Sequence, residues 1–286
     1  MRKVTVAATQ MSCSWNKEEN LKRAEKLVRE AAGKGANIIL LQELFETPYF
    51  CQKEKEEYFA LATRKEENRA LNYFKDIAKE LRVVLPISFF ERAGNLHFNS
   101  LAVIDADGTI LDTYRKTHIP DGPCYEEKFY FSPGDTGFKV WDTAYGRIGV
   151  GICWDQWFPE AARVMALMGA ELLFYPTAIG SEPDSEVDSK DHWQRCMQGH
   201  SACNMIPIIA SNRIGKEVED DSDMTFYGSS FITDETGKVL LQADREHEAV
   251  LTWEFDMEAL DVFRSTWGLY RDRRPNMYEG ILHKAL

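Results

Sequence analysis

The stretch GANIILL at residues 35–41, echoed by GAELLFY at residues 169–175, decides the predicted fold. Each begins with a Gly-Ala pair and continues as an apolar run with the length of a buried strand. A segment whose apolar residues recur at helical spacing precedes each run, at residues 21–32 and 161–167. This weak internal repeat indicates an α/β protein of two halves, whose sheets pack face to face with helices outside.

The rest of the chain fits one domain. Apolar spacing predicts further helices at about 66–82 and near 191–204, and turns at Gly94-Asn95 and Asp107-Gly108 predict antiparallel hairpins. No low-complexity linker interrupts residues 1–258. Residues 259–286 are polar and arginine-rich without a strong period, so we expect an arm of the same domain, on the surface or on a neighbouring subunit of a homo-oligomer.

Composition narrows the class of function. The 286 residues carry a net charge of −12, which argues against binding to nucleic acid or anionic membranes. The N-terminus lacks the features of a signal peptide, and no apolar run approaches the roughly 18 residues of a membrane span. The six cysteines show neither CxxC nor metal-ligand spacing, so we expect reduced thiols in a cytoplasmic protein that binds no metal.

Cys153 is the strongest candidate for a functional residue. It follows the apolar run at residues 147–150, and the helix-opening residues 157–160 come soon after it. An α/β protein commonly presents a nucleophile at such a strand end. A cysteine in a buried strand is more often a small apolar side chain, but the flanking glycine and the polar residues Asp155 and Gln156 favour function here.

Two charged residues are placed in the same way. Glu43 ends the apolar run at residues 37–42, and Lys116 ends the strand-like run at residues 109–115. A buried carboxylate is costly unless it is paired or used, so Glu43 is either half of a structural ion pair or a catalytic group. Lys116 could equally lie in a solvated basic turn. His118, two residues later, competes with Glu43 for the role of base to the thiol.

Together, these residues resemble the Glu–Lys–Cys triad of the nitrilase superfamily of carbon–nitrogen hydrolases. The triad residues lie in LQELF (41–45), RKTHIP (115–120) and GICWDQWFPE (151–160). The similarity extends over nearly the whole chain, and segments such as NRIGKE (212–217) and YRDRRPN (270–276) resemble the branch that hydrolyses N-carbamoylputrescine. Cys124 departs from that pattern, which usually has glycine there.

The resemblance implies a four-layer αββα sandwich that needs neither metal nor organic cofactor. It implies that Cys153 attacks the carbamoyl carbon to give a thiocarbamate, while Glu43 serves as general base. Lys116 and the backbone N–H of Trp154 would stabilise the oxyanion. Glu127 matches an additional glutamate of the family. The implied reaction converts N-carbamoylputrescine to putrescine, ammonia and carbon dioxide.

The resemblance also suggests where the substrate tail lies. Tyr49 and Trp154 match aromatic positions along its path. We expect Glu182, helped by a neighbour such as Asp184 or Asp188, to bind the distal ammonium, although a solvated acidic turn is the simpler interpretation of that loop. Two alternatives remain open: hydrolysis of another N-carbamoyl amine or amino acid, as in a β-ureidopropionase, and a family member that binds ligands without catalysis.

Overall fold

The computed structural model describes residues 2–181 and 187–285, which contain both strands and helices. The strands are β1 (Lys3–Gln10), β2 (Ile38–Leu40), β3 (Leu85–Ala93), β4 (Leu96–Ile104), β5 (Ile110–Arg115), β6 (Val140–Thr143), β7 (Gly146–Val150), β8 (Leu172–Pro176), β9 (Gly180–Ser181), β10 (Ile208–Ser211), β11 (Ile214–Glu219), β12 (Ser222–Tyr227), β13 (Phe231–Thr233), β14 (Val239–Gln242) and β15 (Ala249–Asp256). The α-helices are α1 (Lys17–Gly33), α2 (Arg69–Leu81), α3 (Glu127–Tyr130), α4 (Pro159–Leu167), α5 (Lys190–Asn204) and α6 (Met257–Trp267).

The strands form two large sheets and one small sheet. In the first large sheet, β15-β1-β2 is joined to β3-β4-β5 through Val84, whose N–H donates to the carbonyl oxygen of Asn37 at 2.8 Å. The second has the order β14-β13-β10-β8-β7-β6, and β7, β8 and β10 run parallel. The small sheet, β11-β12-β9, lies beside the others.

Three buried apolar clusters show how these elements stack. One joins α1 and α2 to the first sheet, a second lies between the two large sheets, and a third joins α4 and α5 to the second sheet. Val6 and Leu101 contribute to the middle cluster from the first sheet, and Ile148 and Phe174 from the second. The predicted four-layer αββα arrangement is therefore confirmed.

Helix α2 shows how local sequence sets the boundaries. The side chain of Asn68 accepts the N–H of Leu71 at 2.9 Å and caps the helix, so it begins at Arg69 rather than at the predicted residue 66. It ends where Arg82 adopts a φ of 55°. The buried residues of α2 recur on one face: Ala70, Leu71, Phe74, Ile77 and Ala78.

The segment at residues 259–286, in which the sequence showed no strong period, begins with most of a helix that was not predicted. Helix α6 crosses the start of that segment, and Asp256 caps it by accepting the N–H groups of Glu258 and Ala259, both at 3.1 Å. Gly268 ends it with a φ of 81°. Only Met257 and Leu260 of this helix are buried, so its apolar period is too weak to detect from spacing. Within the described residues, no helix combines the length and the apolar composition that a membrane crossing requires.

The fold brings three chain segments to one end of the space between the sheets. Glu43 follows β2, Lys116 directly follows β5, and Cys153 follows β7. Strands β1 and β2 are parallel in the first sheet, as are β7 and β8 in the second. The buried cluster between the sheets includes Cys153. The candidate residues therefore come from both halves of the molecule.

Candidate active site

Lys116 lies between two carboxylates. Its Nζ is 2.9 Å from Oε1 of Glu43 and 2.6 Å from Oε2 of Glu127, and all three side chains are buried. Burial alone would lower the pKa of Lys116, but the carboxylates of Glu127 and Glu43 outweigh it and raise the pKa well above its usual value. The ammonium is therefore a fixed positive charge at neutral pH, so the solvated basic turn does not describe this residue.

Glu127 is the first residue of α3 and is held from two sides. Tyr49 donates its hydroxyl to Oε1 at 2.6 Å, while Lys116 binds Oε2. Burial raises the pKa of Glu127 to about 7, against the lowering effect of the Lys116 ammonium. Tyr49, predicted to contact the substrate tail, thus also orients the second carboxylate.

The two oxygens of Glu43 have different surroundings. Oε1 accepts hydrogen bonds from Nζ of Lys116 and from Nδ2 of Asn99, the latter at 2.7 Å. Oε2 is buried and has no hydrogen-bond partner among the described residues. Since an unpaired buried carboxylate oxygen is costly, this atom is poised to accept a proton or a donor from a bound molecule.

Cys153 sits in a strained backbone turn. Its φ of 43° lies in the left-handed region, which a residue with a side chain rarely adopts, and residues 153–157 form one short 3₁₀ helix. Burial raises the pKa of its thiol well above the usual value, as does the carboxylate of Glu43, while Lys116 lowers it. The resting thiol is therefore protonated at neutral pH and needs a base before it can attack.

Asp155 holds the turn that carries the thiol. Its carboxylate accepts the N–H of Ile152 at 2.9 Å and the hydroxyl of Tyr114 at 2.7 Å. It also binds Nδ1 of His118 at 2.7 Å, and that imidazole stacks on Phe158 with ring centroids 3.6 Å apart. His118 is thus engaged by Asp155, and no hydrogen bond within the described residues joins an imidazole to the thiol.

A buried arginine secures the loop after β2. Arg213 donates to the carbonyl oxygens of Glu43 at 3.1 Å and Leu44 at 3.0 Å, and it pairs with Glu217 at 2.7 Å. The other oxygen of Glu217 accepts the N–H of Tyr49 at 2.5 Å. Arg213 and Glu217 of the NRIGKE segment therefore fix both ends of a loop that carries a candidate base and the partner of Glu127.

The residues expected along the substrate tail are only partly placed. Trp154 is 38% exposed and packs edge-on against Trp157 with ring centroids 6.1 Å apart. Glu182 and Asp184 lie outside the described residues. Asp188 forms an ion pair of 2.5 Å with Arg245 at the surface, so its charge is already compensated.

An acidic cavity opens beside the Glu127 helix. Its volume is about 780 Å³. Its lining includes four carboxylates and one ammonium, from Glu54, Glu126, Asp221, Asp223 and Lys53. Cys124 also lines it and adopts a φ of 62°, a conformation that glycine takes at little cost. Cysteine is therefore held here in a conformation that costs it more than it would cost glycine.

Sequence reasoning missed Asn99 and Arg213. Asn99 lies on the same face of β4 as the apolar residues Leu101 and Val103. A polar residue at an apolar position of a strand is the one signal in the sequence that could have indicated its role between the sheets. Arg213 gives no such signal, because a surface location is the usual expectation for arginine.

Three kinds of comparison place the chain among known proteins. The family model described as carbon-nitrogen hydrolase matches residues 5–265. An N-carbamoylputrescine amidase of Solanum tuberosum is 58% identical, with 98% of this chain and 95% of the relative aligned. A citrullinase of Francisella tularensis is 55% identical, with 99% and 100% aligned. The crystal structure of a carbon-nitrogen hydrolase from Helicobacter pylori G27 superimposes with a TM-score of 0.94, at 38% identity and full coverage of both chains.

Proposed function

The chain belongs to the carbon–nitrogen hydrolase family, and we propose that it hydrolyses N-carbamoylputrescine to putrescine, ammonia and carbon dioxide. The observation that carries the mechanism is the asymmetry of Glu43. One carboxylate oxygen is held by Lys116 and Asn99, and the other is open. The high identity to N-carbamoylputrescine amidases supports the choice of substrate.

Cys153 begins the reaction as a protonated thiol. Oε2 of Glu43 takes its proton as Sγ attacks the carbamoyl carbon and the carbonyl oxygen becomes an oxyanion. The Lys116 ammonium and the backbone N–H of Trp154 stabilise that charge. The intermediate collapses when Glu43 returns the proton to one of the two nitrogens, which leaves as ammonia or as the amine.

Water completes the cycle. Glu43 takes a proton from a water molecule, which attacks the thiocarbamate carbon and releases the Cys153 thiolate, and Glu43 then returns that proton to the thiolate. The carbamate so formed loses carbon dioxide and sets free the remaining nitrogen compound. One urea and one water thus give one amine, one ammonia and one carbon dioxide. Glu127 orients Lys116 through both steps, because its other oxygen is fixed by Tyr49.

The substrate tail carries a positive charge at its far end. We propose that it passes Tyr49 and Trp154 and ends at Glu182. The acidic cavity beside α3 supports a cationic substrate, since clustered carboxylates raise the local concentration of cations.

Citrulline is the second candidate substrate, because the citrullinase relative is 55% identical along its full length. Citrulline bears the same ureido group at the same four-carbon distance from an ammonium, and differs by a carboxylate on the last carbon. A site built for it would offer an unpaired cation to that carboxylate, whereas Arg245 is already paired with Asp188 of the acidic loop.

A steady-state comparison of kcat/KM for N-carbamoylputrescine, citrulline and N-carbamoyl-β-alanine tests the proposal. We expect N-carbamoylputrescine to be preferred by at least tenfold. A preference for citrulline would transfer the proposal to the second candidate, and no turnover of any of the three would refute the function.

We further propose that the enzyme is a homo-oligomer that works in the cytosol. The C-terminal segment exposes large apolar side chains of the kind found in subunit interfaces, which are Val262, Trp267, Leu269, Met277, Ile281 and Leu282. The six cysteines are free thiols, which a reducing compartment preserves.

A further inference from the structure

Asn99 lies at the junction of the candidate base and the candidate oxyanion-binding cation. Its carbonyl oxygen accepts the backbone N–H of Lys116 at 2.8 Å, because β4 pairs with β5 and the ladder runs on past Arg115. Its side chain is fully buried and lies on the face of β4 that meets the second sheet, as Leu101 does. One residue therefore contacts both Lys116 and Glu43.

The side-chain contact is with one oxygen only. Nδ2 of Asn99 donates to Oε1 of Glu43 at 2.7 Å, and Nζ of Lys116 donates to the same oxygen at 2.9 Å. Two donors converging on Oε1 oppose rotation of the carboxylate about its last bond. They leave Oε2 as the oxygen without a partner among the described residues.

We infer that Asn99 is a positioning residue for Glu43, which holds the carboxylate so that Oε2 receives the thiol proton and later returns it. The inference rests on the proposed function, in which Glu43 is the general base. Lys116 does not hold Glu43 alone, because its ammonium is shared with Glu127 and, in the proposed mechanism, with the oxyanion. The amide of Asn99 makes no such second contact: its Oδ1 is buried and has no partner in the described part of the chain.

Two substitutions distinguish the effect of the N–H donor of Asn99 from the effect of the rest of its side chain. Asn99→Asp keeps the shape and the acceptor oxygen but removes the N–H donor, and Asn99→Leu removes both polar groups at similar volume. The matched control is Asn68→Asp. Asn68 is also a buried asparagine that donates to a glutamate, with Nδ2 2.9 Å from Oε2 of Glu46, and an aspartate there still caps α2.

The first measurement needs no substrate. Alkylation of Cys153 by iodoacetamide forms an S–C bond and releases iodide while the thiol proton passes to the base. Its rate is followed against pH by mass spectrometry of the peptide that contains residue 153. We expect the rate at neutral pH to fall about 10- to 150-fold in both Asn99 variants, more in Asn99→Asp, the loss expected for one charge-assisted hydrogen bond. The acid limb of the rate profile should move to higher pH in Asn99→Leu. Asn68→Asp should match the wild type.

The second measurement is kcat and KM for N-carbamoylputrescine. A positioning role lowers kcat with KM nearly unchanged, whereas a role in binding would raise KM. A double-mutant cycle completes the test: on a Glu43→Gln background, Asn99→Leu should cause no further loss of alkylation rate. Far-ultraviolet circular dichroism identifies any variant that fails to fold, and Asn99→Ser then replaces it.

The inference is overturned if folded Asn99→Leu alkylates within twofold of the wild type at every pH, or if its effect is undiminished on the Glu43→Gln background. If the wild type instead hydrolyses none of the ureas, the proposed function fails. The alkylation profiles would still decide whether Asn99 acts through Glu43.

Discussion

Arg213 and Glu43, 170 residues apart in the chain, are joined by a hydrogen bond of 3.1 Å from the guanidinium to the main-chain carbonyl oxygen. The arginine belongs to the second half of the molecule and the glutamate to the first. The position of the candidate base is thus set by contacts from both halves, through its backbone here and through its side chain at Asn99.

We expect Cys153→Ser to fold normally and to lose at least about 10³-fold in kcat/KM, since a hydroxyl lacks the nucleophilicity of a thiolate. Cys203→Ser, which alters an exposed thiol, serves as the control and should keep full activity. A Cys153→Ser enzyme that retained more than a tenth of the wild-type rate would exclude Cys153 as the nucleophile.

Lys116→Met should be both inactive and unstable. The substitution leaves the buried carboxylates of Glu43 and Glu127 without a cation, and loss of one partner of a buried pair costs about 3–5 kcal/mol of unfolding free energy. Adding Glu127→Gln should recover part of that stability but no activity. Lys216→Met, which breaks an exposed pair with Asp223, should cost less than about 1 kcal/mol. Urea unfolding gives the unfolding free energy of Lys116→Met, of its double variant with Glu127→Gln, and of Lys216→Met. Equal losses of unfolding free energy in Lys116→Met and Lys216→Met would contradict the prediction.

The raised pKa of Glu127 should make the unfolding free energy depend on pH. The pKa of this residue is raised to about 7 by burial, whereas in the unfolded chain it is about 4.3, so the folded protein binds the proton more tightly. The resulting stabilisation is complete below pH 4.3 and is lost as pH rises to 7. The wild type should therefore lose unfolding free energy relative to Glu127→Gln across this interval, by at most about 3 kcal/mol. A difference that grows in the opposite direction would show that the folded site favours the ionised carboxylate.

Glu182→Gln should lower kcat/KM for N-carbamoylputrescine by about 10- to 150-fold, since a charge-assisted hydrogen bond contributes about 1.5–3 kcal/mol. N-butylurea has no distal ammonium, so its turnover should change little. Asp188→Asn should have a smaller effect, because Asp188 is already paired with Arg245. Equal losses with both substrates would place the ammonium site elsewhere.

Analytical ultracentrifugation at micromolar concentration should give a mass that is a multiple of the 32.8 kDa chain. Replacing the exposed Trp267 and Ile281 with serine should shift the mass toward the monomer, because such side chains supply the apolar area of subunit contacts. A wild-type mass near 32.8 kDa would refute the oligomer.

The sequence predicted well those features that depend on local pattern. The repeated Gly-Ala–strand unit indicated the two packed sheets, and the strand-end positions of Glu43, Lys116 and Cys153 indicated one shared site. Contacts between distant segments could not be predicted in this way. Asn99 meets Glu43 because β3 lies between β2 and β4, and Arg213 meets it because β10 of the second half lies against β1 and β2. Helix α6 was missed because most of its surface is exposed, which leaves little apolar spacing to detect.

Strand β15 is made long after β1, the strand with which it pairs. Strand β15 pairs along its whole length with β1, from Lys3 opposite Asp256 to Gln10 opposite Ala249. During synthesis at roughly 5–20 residues per second, β1 therefore waits on the order of ten seconds to a minute for its partner. Throughout that interval an apolar strand offers an unpaired edge, the template on which chains aggregate. We expect nascent chains to need protection by chaperones at this edge, and truncation before residue 249 to yield insoluble protein even though every proposed catalytic residue is present.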